Sequence, residues 1–165
     1  MPGSGRFIAP NAAGKLRSRR QTLLMNIAEE TIQLAQAGIP LDESLVICTG
    51  TFNIQDSYTA MNRVLDSGTD FSAVFAISDN TAIGAMRALR EHGRTVPDGC
   101  SVIAIDGIEV SDYIDPPLTT LCQPMEEMGR RSIQILLDMI EGRSGNCHEV
   151  LPTVLRPGGS VKTLV

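Results

Sequence analysis

The chain has 165 residues, 42% of them hydrophobic and 20% charged, with a formal net charge of −5. That length buries a real core as a single domain, residues 1–165. An acidic balance argues against a nucleic-acid surface, which needs clustered Lys and Arg. No apolar run approaches the roughly 18 residues of a membrane span, and residues 1–5 lack both the charged and the apolar part of a leader.

The basic cluster Lys15, Arg17, Arg19 and Arg20 reads as a solvated loop and helix start. Arg6 to Ala9 reads as a short first strand, and Arg19 to Ala37 as a helix, with Leu23, Leu24, Ile27, Ile32, Leu34 and Ala35 apolar and Gly38 as its C-cap. Leu45 to Cys48 is a continuous apolar run of strand length, as a sheet covered on both faces requires. Asn53 is placed to cap a helix that ends at Gly68, with Tyr58, Met61, Val64 and Leu65 on its inner face. A strand at Ala73 to Ile77 leads into a helix from Asp79 to His92, and Gly93 closes it. Val102 to Ile105 is the next strand, and Asp106 to Thr120 reads as a loop with a Pro-Pro pair. Pro124 then opens a helix to about Glu141, and a last strand at Glu149 to Leu155 precedes a Gly-rich tail. Alternating strands and helices of these lengths predict an α/β fold: an open parallel sheet with helices on both faces.

The four cysteines, Cys48, Cys100, Cys122 and Cys147, form no C-x-x-C pair and no zinc spacing, so no metal or other cofactor is expected. Cys48 and Cys122 lie in apolar strand-like runs, where Cys behaves as a small buried hydrophobe. Reduced thiols in a cytoplasmic protein are the expectation. The motifs of a nucleophile elbow, a P-loop and a dinucleotide fingerprint are absent. His92 and His148 precede strands and fall opposite the edge where an open α/β sheet binds ligands. Glu126 and Glu127 sit on a first helical turn and complement its dipole.

Ligands of such sheets lie beyond the carboxyl ends of the strands. The strand at 45–48 leads to Phe52, an aromatic able to stack on a ring. The strand ending at Ile77 delivers Ser78, Asp79 and Asn80, and the strand ending at Ile105 delivers Asp106. Asp79 also reads as an N-cap and Asp106 as a plain turn residue before Gly107.

One ordered set of segments is specific. It comprises Ala37 to Leu41, Ser72 to Ala76, and Asp79 with Ala82, Gly84, Ala85, Ala88 and Leu89. It continues with Val96 to Asp98, Asp106, Pro116 to Thr120, Gln123-Pro124, and Met128 to Arg130. Together these resemble the effector-binding core of the lactose/galactose repressor (LacI/GalR) family, which has a type I periplasmic-binding-protein-like fold. The resemblance runs from about Ala37 to Leu155 and implies a C-terminal subdomain core at residues 6–123 and a crossover helix at 124–141. It implies that the helix-turn-helix and nearly all of the first subdomain are absent, so that operator DNA is reached only through the missing N-terminal part. It also implies a homodimer, and a small effector, a sugar or nucleoside-like molecule, contacted by Phe52, Ser78, Asp79, Asp106 and Gln123. The chain departs from the family in having Ser78 for Asn and Gly107 for a second Asp. Asn26, Glu29 and Glu30 stand where an Arg-x-x-Gly-aromatic motif is usual.

The expected activity is therefore effector binding in a transcriptional regulator, without catalysis. The rivals are a fragment of a periplasmic sugar-binding transport protein and a small α/β enzyme, for which Asp79 and Asp106 are the only crevice groups. The crossover helix, lacking its sheet, is expected to drive self-association.

Overall fold

The computed structural model describes residues 22–25, 42–143 and 148–163. Six strands form one sheet: β1 (Thr22–Met25), β2 (Val46–Ile47), β3 (Ala73–Ala76), β4 (Ser101–Asp106), β5 (Thr119–Cys122) and β6 (Val154–Arg156), in the order β2-β1-β3-β4-β5-β6. The first five run parallel, and β6 closes the edge antiparallel to β5, with Leu121 opposite Leu155. The sheet is thus mostly parallel, with the antiparallel edge strand that such sheets often carry.

Local sequence explains the helices. Asn53 Oδ1 accepts the Asp56 N–H at 2.7 Å and starts α1 (Ile54–Asp66), whose Met61 is wholly buried. Ser78 starts α2 (Asp79–Glu91), which buries Ala82, Ala85, Ala88 and Leu89. α1 packs on α2, and α2 packs on β3 and β4. Val74, Ala76, Val102 and Ala104 supply the sheet's side of this core, joined by Phe71, Cys100 and Leu118. α3 (Met125–Ile140) has no buried residue.

Gly84 is the contact point between α1 and α2. A Cβ there would lie 2.3 Å from the Ile54 carbonyl oxygen and 2.9 Å from the Ser57 Cβ. Ala in a helix interior is intrinsically better than Gly by about 1 kcal/mol. The clash is with rigid backbone, so the Gly84→Ala protein is nevertheless expected to lose about 1–2 kcal/mol, or a few degrees in Tm. A melting curve at or above that of the wild type would show that the helices can separate freely.

Several expectations change. Thr22 to Met25 is an interior strand, between β2 and β3, and not part of the expected helix; a run of three apolar residues carries too little periodicity to decide. The rest of that helix, the strand at 6–9, and Asn26, Glu29 and Glu30 lie outside the described residues. The strand expected at 45–48 is reduced to Val46–Ile47, because Glu43–Leu45 forms a 3-10 turn capped by Asp42. Cys48 falls past the strand and is exposed, not buried; Cys122 is half-buried, and Cys147 is outside the described residues. Cys100 is buried, and its desolvated thiol is pushed up to about 11. The expected loop at 106–120 contains a 3-10 turn (Glu109–Asp112) and the start of β5.

The Gly-rich tail proves structural. Ser160 is buried, donates to the Val102 carbonyl at 2.6 Å and accepts the Thr119 N–H at 2.8 Å. Its own carbonyl accepts the Val102 N–H. Gly158 passes so close that a Cβ would lie 2.4 Å from the Pro117 oxygen.

Candidate functional site

The carboxyl ends of β2, β3, β4 and β5 face the same edge, because these strands are parallel. Phe52, between β2 and α1, stands at that edge with its side chain 61% exposed. Ser78 and Asp79 follow β3, Asp106 ends β4, and Gln123 follows β5.

Asp79 is the best-connected of these. Its side chain is 0% exposed. One carboxylate oxygen accepts the N–H groups of Gly107 at 3.1 Å and Ile108 at 2.9 Å, and the other accepts the Thr120 hydroxyl at 2.5 Å. The buried carboxylate therefore ties the segment after β4 and the middle of β5 to the start of α2. It is not the N-cap that local sequence suggested: the cap is Ser78, whose Oγ accepts the Thr81 N–H at 3.2 Å and shares a hydrogen bond with the Thr81 hydroxyl. A residue one place later in the chain carries the cap's chemistry as well, and only the fold shows that its carboxylate turns inward.

Asp106 and Gln123 meet. Gln123 Nε2 donates to Asp106 Oδ1 at 2.9 Å, and the Gln123 backbone N–H donates to the Asp106 carbonyl at 3.0 Å. Asp106 has φ +133°, making it the one non-glycine residue with positive φ among the described residues. Such backbone is costly for a residue with a Cβ and persists where the surroundings over-determine it. Asp106 is therefore more than a turn residue. Gly107 follows at φ +79°, and a Cβ there would lie 2.5 Å from the Cys122 sulfur. That contact leaves no space at 107 for a second aspartate side chain without moving β5. Burial raises the Asp106 pKa above its ordinary value, and the nearby Asp79 charge adds to this. The Asp79 backbone N–H and the Gln123 amide pull the other way.

This edge thus holds one accessible carboxylate with an amide beside it, an exposed aromatic ring, and a second carboxylate sealed beneath. Such a set accepts and donates hydrogen bonds to hydroxyl groups. His92 is away from it, at the end of α2, where Nε2 meets Asp66 at 3.1 Å and Nδ1 the Ala88 carbonyl; His148 is exposed. Among the described residues, no three His, Cys, Asp or Glu side chains are placed to hold a metal ion.

The model of the periplasmic binding protein-like domain matches residues 12–161. The chain belongs to that family. The relatives described here are transcriptional regulators. The transcriptional regulator MalR of Clostridium butyricum is 34% identical over 122 residues, covering 74% of this chain and 36% of MalR. The transcriptional repressor MelR of Bacillus subtilis is 37% identical over 120 residues, 73% of this chain and 34% of its own length. A solved complex of the transcriptional regulator CelR with cellobiose superposes with a TM-score of 0.78 at 32% identity, over 87% of this chain and 47% of CelR. The chain spans about a third of the curated relatives it matches (36% and 34% for these two). No helix among the described residues is long and apolar enough to cross a membrane.

Proposed function

We propose that the chain is the effector-binding portion of a LacI-type transcriptional regulator, acting without catalysis in the cytoplasm. Its effector is a small polyhydroxylated molecule, a sugar, taken at the carboxyl edge of the sheet. The observation that carries this is the Asp106–Gln123 pair. A partly exposed carboxylate is locked at φ +133° with its oxygen 2.9 Å from an amide nitrogen, a fixed acceptor and donor for neighbouring hydroxyls. In this reading Phe52 stacks on the sugar ring, while Ser78 and Asp79 hold the frame from below. Support also comes from a solved relative whose ligand is cellobiose. That the relatives are HTH-type regulators favours this reading over transport. An enzyme would need an acid and a base here; of the two carboxylates described at this edge, Asp79 is sealed and Asp106 is partly exposed. DNA reading is assigned to parts of such regulators outside the matched region.

The test is equilibrium binding of cellobiose and of single monosaccharides to the wild type and to Asp106→Ala. A carboxylate that accepts ligand hydroxyls contributes about 1.5–3 kcal/mol, so the variant is expected to bind about 10- to 100-fold more weakly. Protonation removes the charge and turns one acceptor oxygen into a donor, which weakens the contact. Because the Asp106 pKa is raised, affinity should begin to fall on acidification at a higher pH than for an ordinary carboxylate. Unchanged affinity in Asp106→Ala would remove the carboxylate from the site.

A further inference from the structure

We propose that Arg156, on the edge strand β6, is a positioning residue for this site. It clamps the segment after Asp106 from the side opposite Asp79. The inference rests on the reading of Asp106 as the ligand carboxylate.

The observation is a pair of residues whose backbone groups are held from both sides. The N–H groups of Gly107 and Ile108 both donate to Asp79. The carbonyls of the same two residues both face the Arg156 guanidinium. Nη2 donates to the Ile108 carbonyl at 3.1 Å, and Nη1 reaches the Gly107 carbonyl at 3.5 Å. Nη2 also donates to the Ser111 hydroxyl at 2.5 Å, and that hydroxyl donates back to the Ile108 carbonyl. Nη1 pairs with Asp112 at 3.0 Å. A planar guanidinium with a fixed fork of donors suits this task in a way that an ammonium does not. The Arg156 Nε is buried and has no hydrogen-bond partner. A buried donor left unmade costs free energy, so the side chain is held here by its contacts to the loop despite that loss.

The clamp sits immediately after the strained residue. Asp106 at φ +133° relaxes unless its neighbours are fixed. With the carbonyls of Gly107 and Ile108 released, the backbone relaxes toward ordinary φ and the carboxylate swings away from Gln123. Arg156 acts from 50 positions further along the chain, through a strand of three residues, Val154–Arg156.

The experiment compares the wild type with Arg156→Met, with Arg156→Lys as a second variant if the first does not fold. It reads amide hydrogen exchange at Gly107 and Ile108 against Val102 and Ala104 in β4, and cellobiose affinity. The expected result is at least about tenfold faster exchange at Gly107 and Ile108, with Val102 and Ala104 unchanged, and about tenfold weaker cellobiose binding. Gly107 and Ile108 exchanging as slowly as in the wild type would overturn the proposal. So would equal acceleration at all four amides, which makes Arg156 a general stabiliser, or local acceleration with cellobiose affinity unchanged. If the wild type binds neither cellobiose nor the single monosaccharides, the sugar reading fails by itself, and the exchange rates alone decide the clamp.

Discussion

Asp79→Ala is expected to lower the melting temperature by about 10 °C. The carboxylate is fully buried and accepts three hydrogen bonds, from Gly107, Ile108 and the Thr120 hydroxyl. Removing it strands two backbone N–H groups inside the protein. Each unsatisfied donor costs about 1–3 kcal/mol, and hydrogen bonds to a charged acceptor are worth about 1.5–3 kcal/mol each, not additively. A total of about 4 kcal/mol follows, and a domain of this size shifts by about 2–4 °C per kcal/mol. An N-cap role would have cost only about 1 kcal/mol. Magnitude therefore separates the two roles, and Ser78→Ala supplies the comparison for a genuine cap. Asp79→Asn keeps the shape and should fall between them. A thermal shift of only two or three degrees for Asp79→Ala would mean that water replaces the carboxylate and that the tie is dispensable.

The second large effect concerns α3. Its apolar side chains face outward: Leu136 is 52% exposed and Ile140 71%, and Met125, Ile133 and Met139 are comparably open. Arg131 and Asp138 are better covered, their side chains 37% and 32% exposed, while Arg130 at 62% is as open as the apolar residues. Arg131 pairs with Glu149, whose side chain is only 25% exposed, and Asp138 pairs with Arg143. The Arg131–Glu149 pair ties the helix to the segment before β6, while most of its large apolar side chains stay exposed, the reverse of an ordinary surface helix. An uncovered face of this kind is an association surface. We propose that in the isolated chain a second copy covers it. Fully burying a Leu or Ile side chain contributes about 1.5–3 kcal/mol. Replacing Leu136 and Ile140 together with Gln should therefore weaken self-association by at least about 100-fold. Neither residue is buried, so the melting temperature of the dilute protein should hold. Light scattering coupled to size exclusion over a concentration series reads this directly. A wild type that stays monomeric at the highest concentration would contradict it.

The sequence and the structure agree where a segment's chemistry is decided locally. Asn53 caps α1 as its neighbours predict, and the alternation of apolar strands with Gly-terminated helices gives the sheet and its parallel sense. Agreement fails where a short run is apolar but not periodic. Thr22 to Met25 joined the sheet because β2 and β3 flank it, a fact about tertiary pairing and not about those four residues. The start of β5 was hidden by the Pro-Pro pair before it, and the last strand, expected at Glu149 to Leu155, is only Val154–Arg156, its antiparallel sense carrying no local marker.

The site was legible in its positions more than in its roles. Strand ends pointed to Phe52, Ser78, Asp79 and Asp106, the family resemblance added Gln123, and the structure brings Asp106 and Gln123 into contact. The cap is Ser78 and not Asp79, because an acidic residue at the head of a helix reads as a cap whichever way its carboxylate turns. Arg156 and Ser160 carried no signal, since their partners are backbone groups about fifty residues away in sequence, such as Ile108 and Val102. Contacts of that kind leave no local pattern.

The most direct test of the account is a titration of the labelled wild-type chain with cellobiose, followed by backbone amide shifts. An effector held by one sheet edge should bind in the millimolar range, because a single face offers few polar contacts. Saturable shifts are expected at Phe52, Gly107, Ile108 and Gln123, and their loss in Asp106→Ala. Saturable shifts confined to other parts of the chain, with these four amides unmoved, would contradict it.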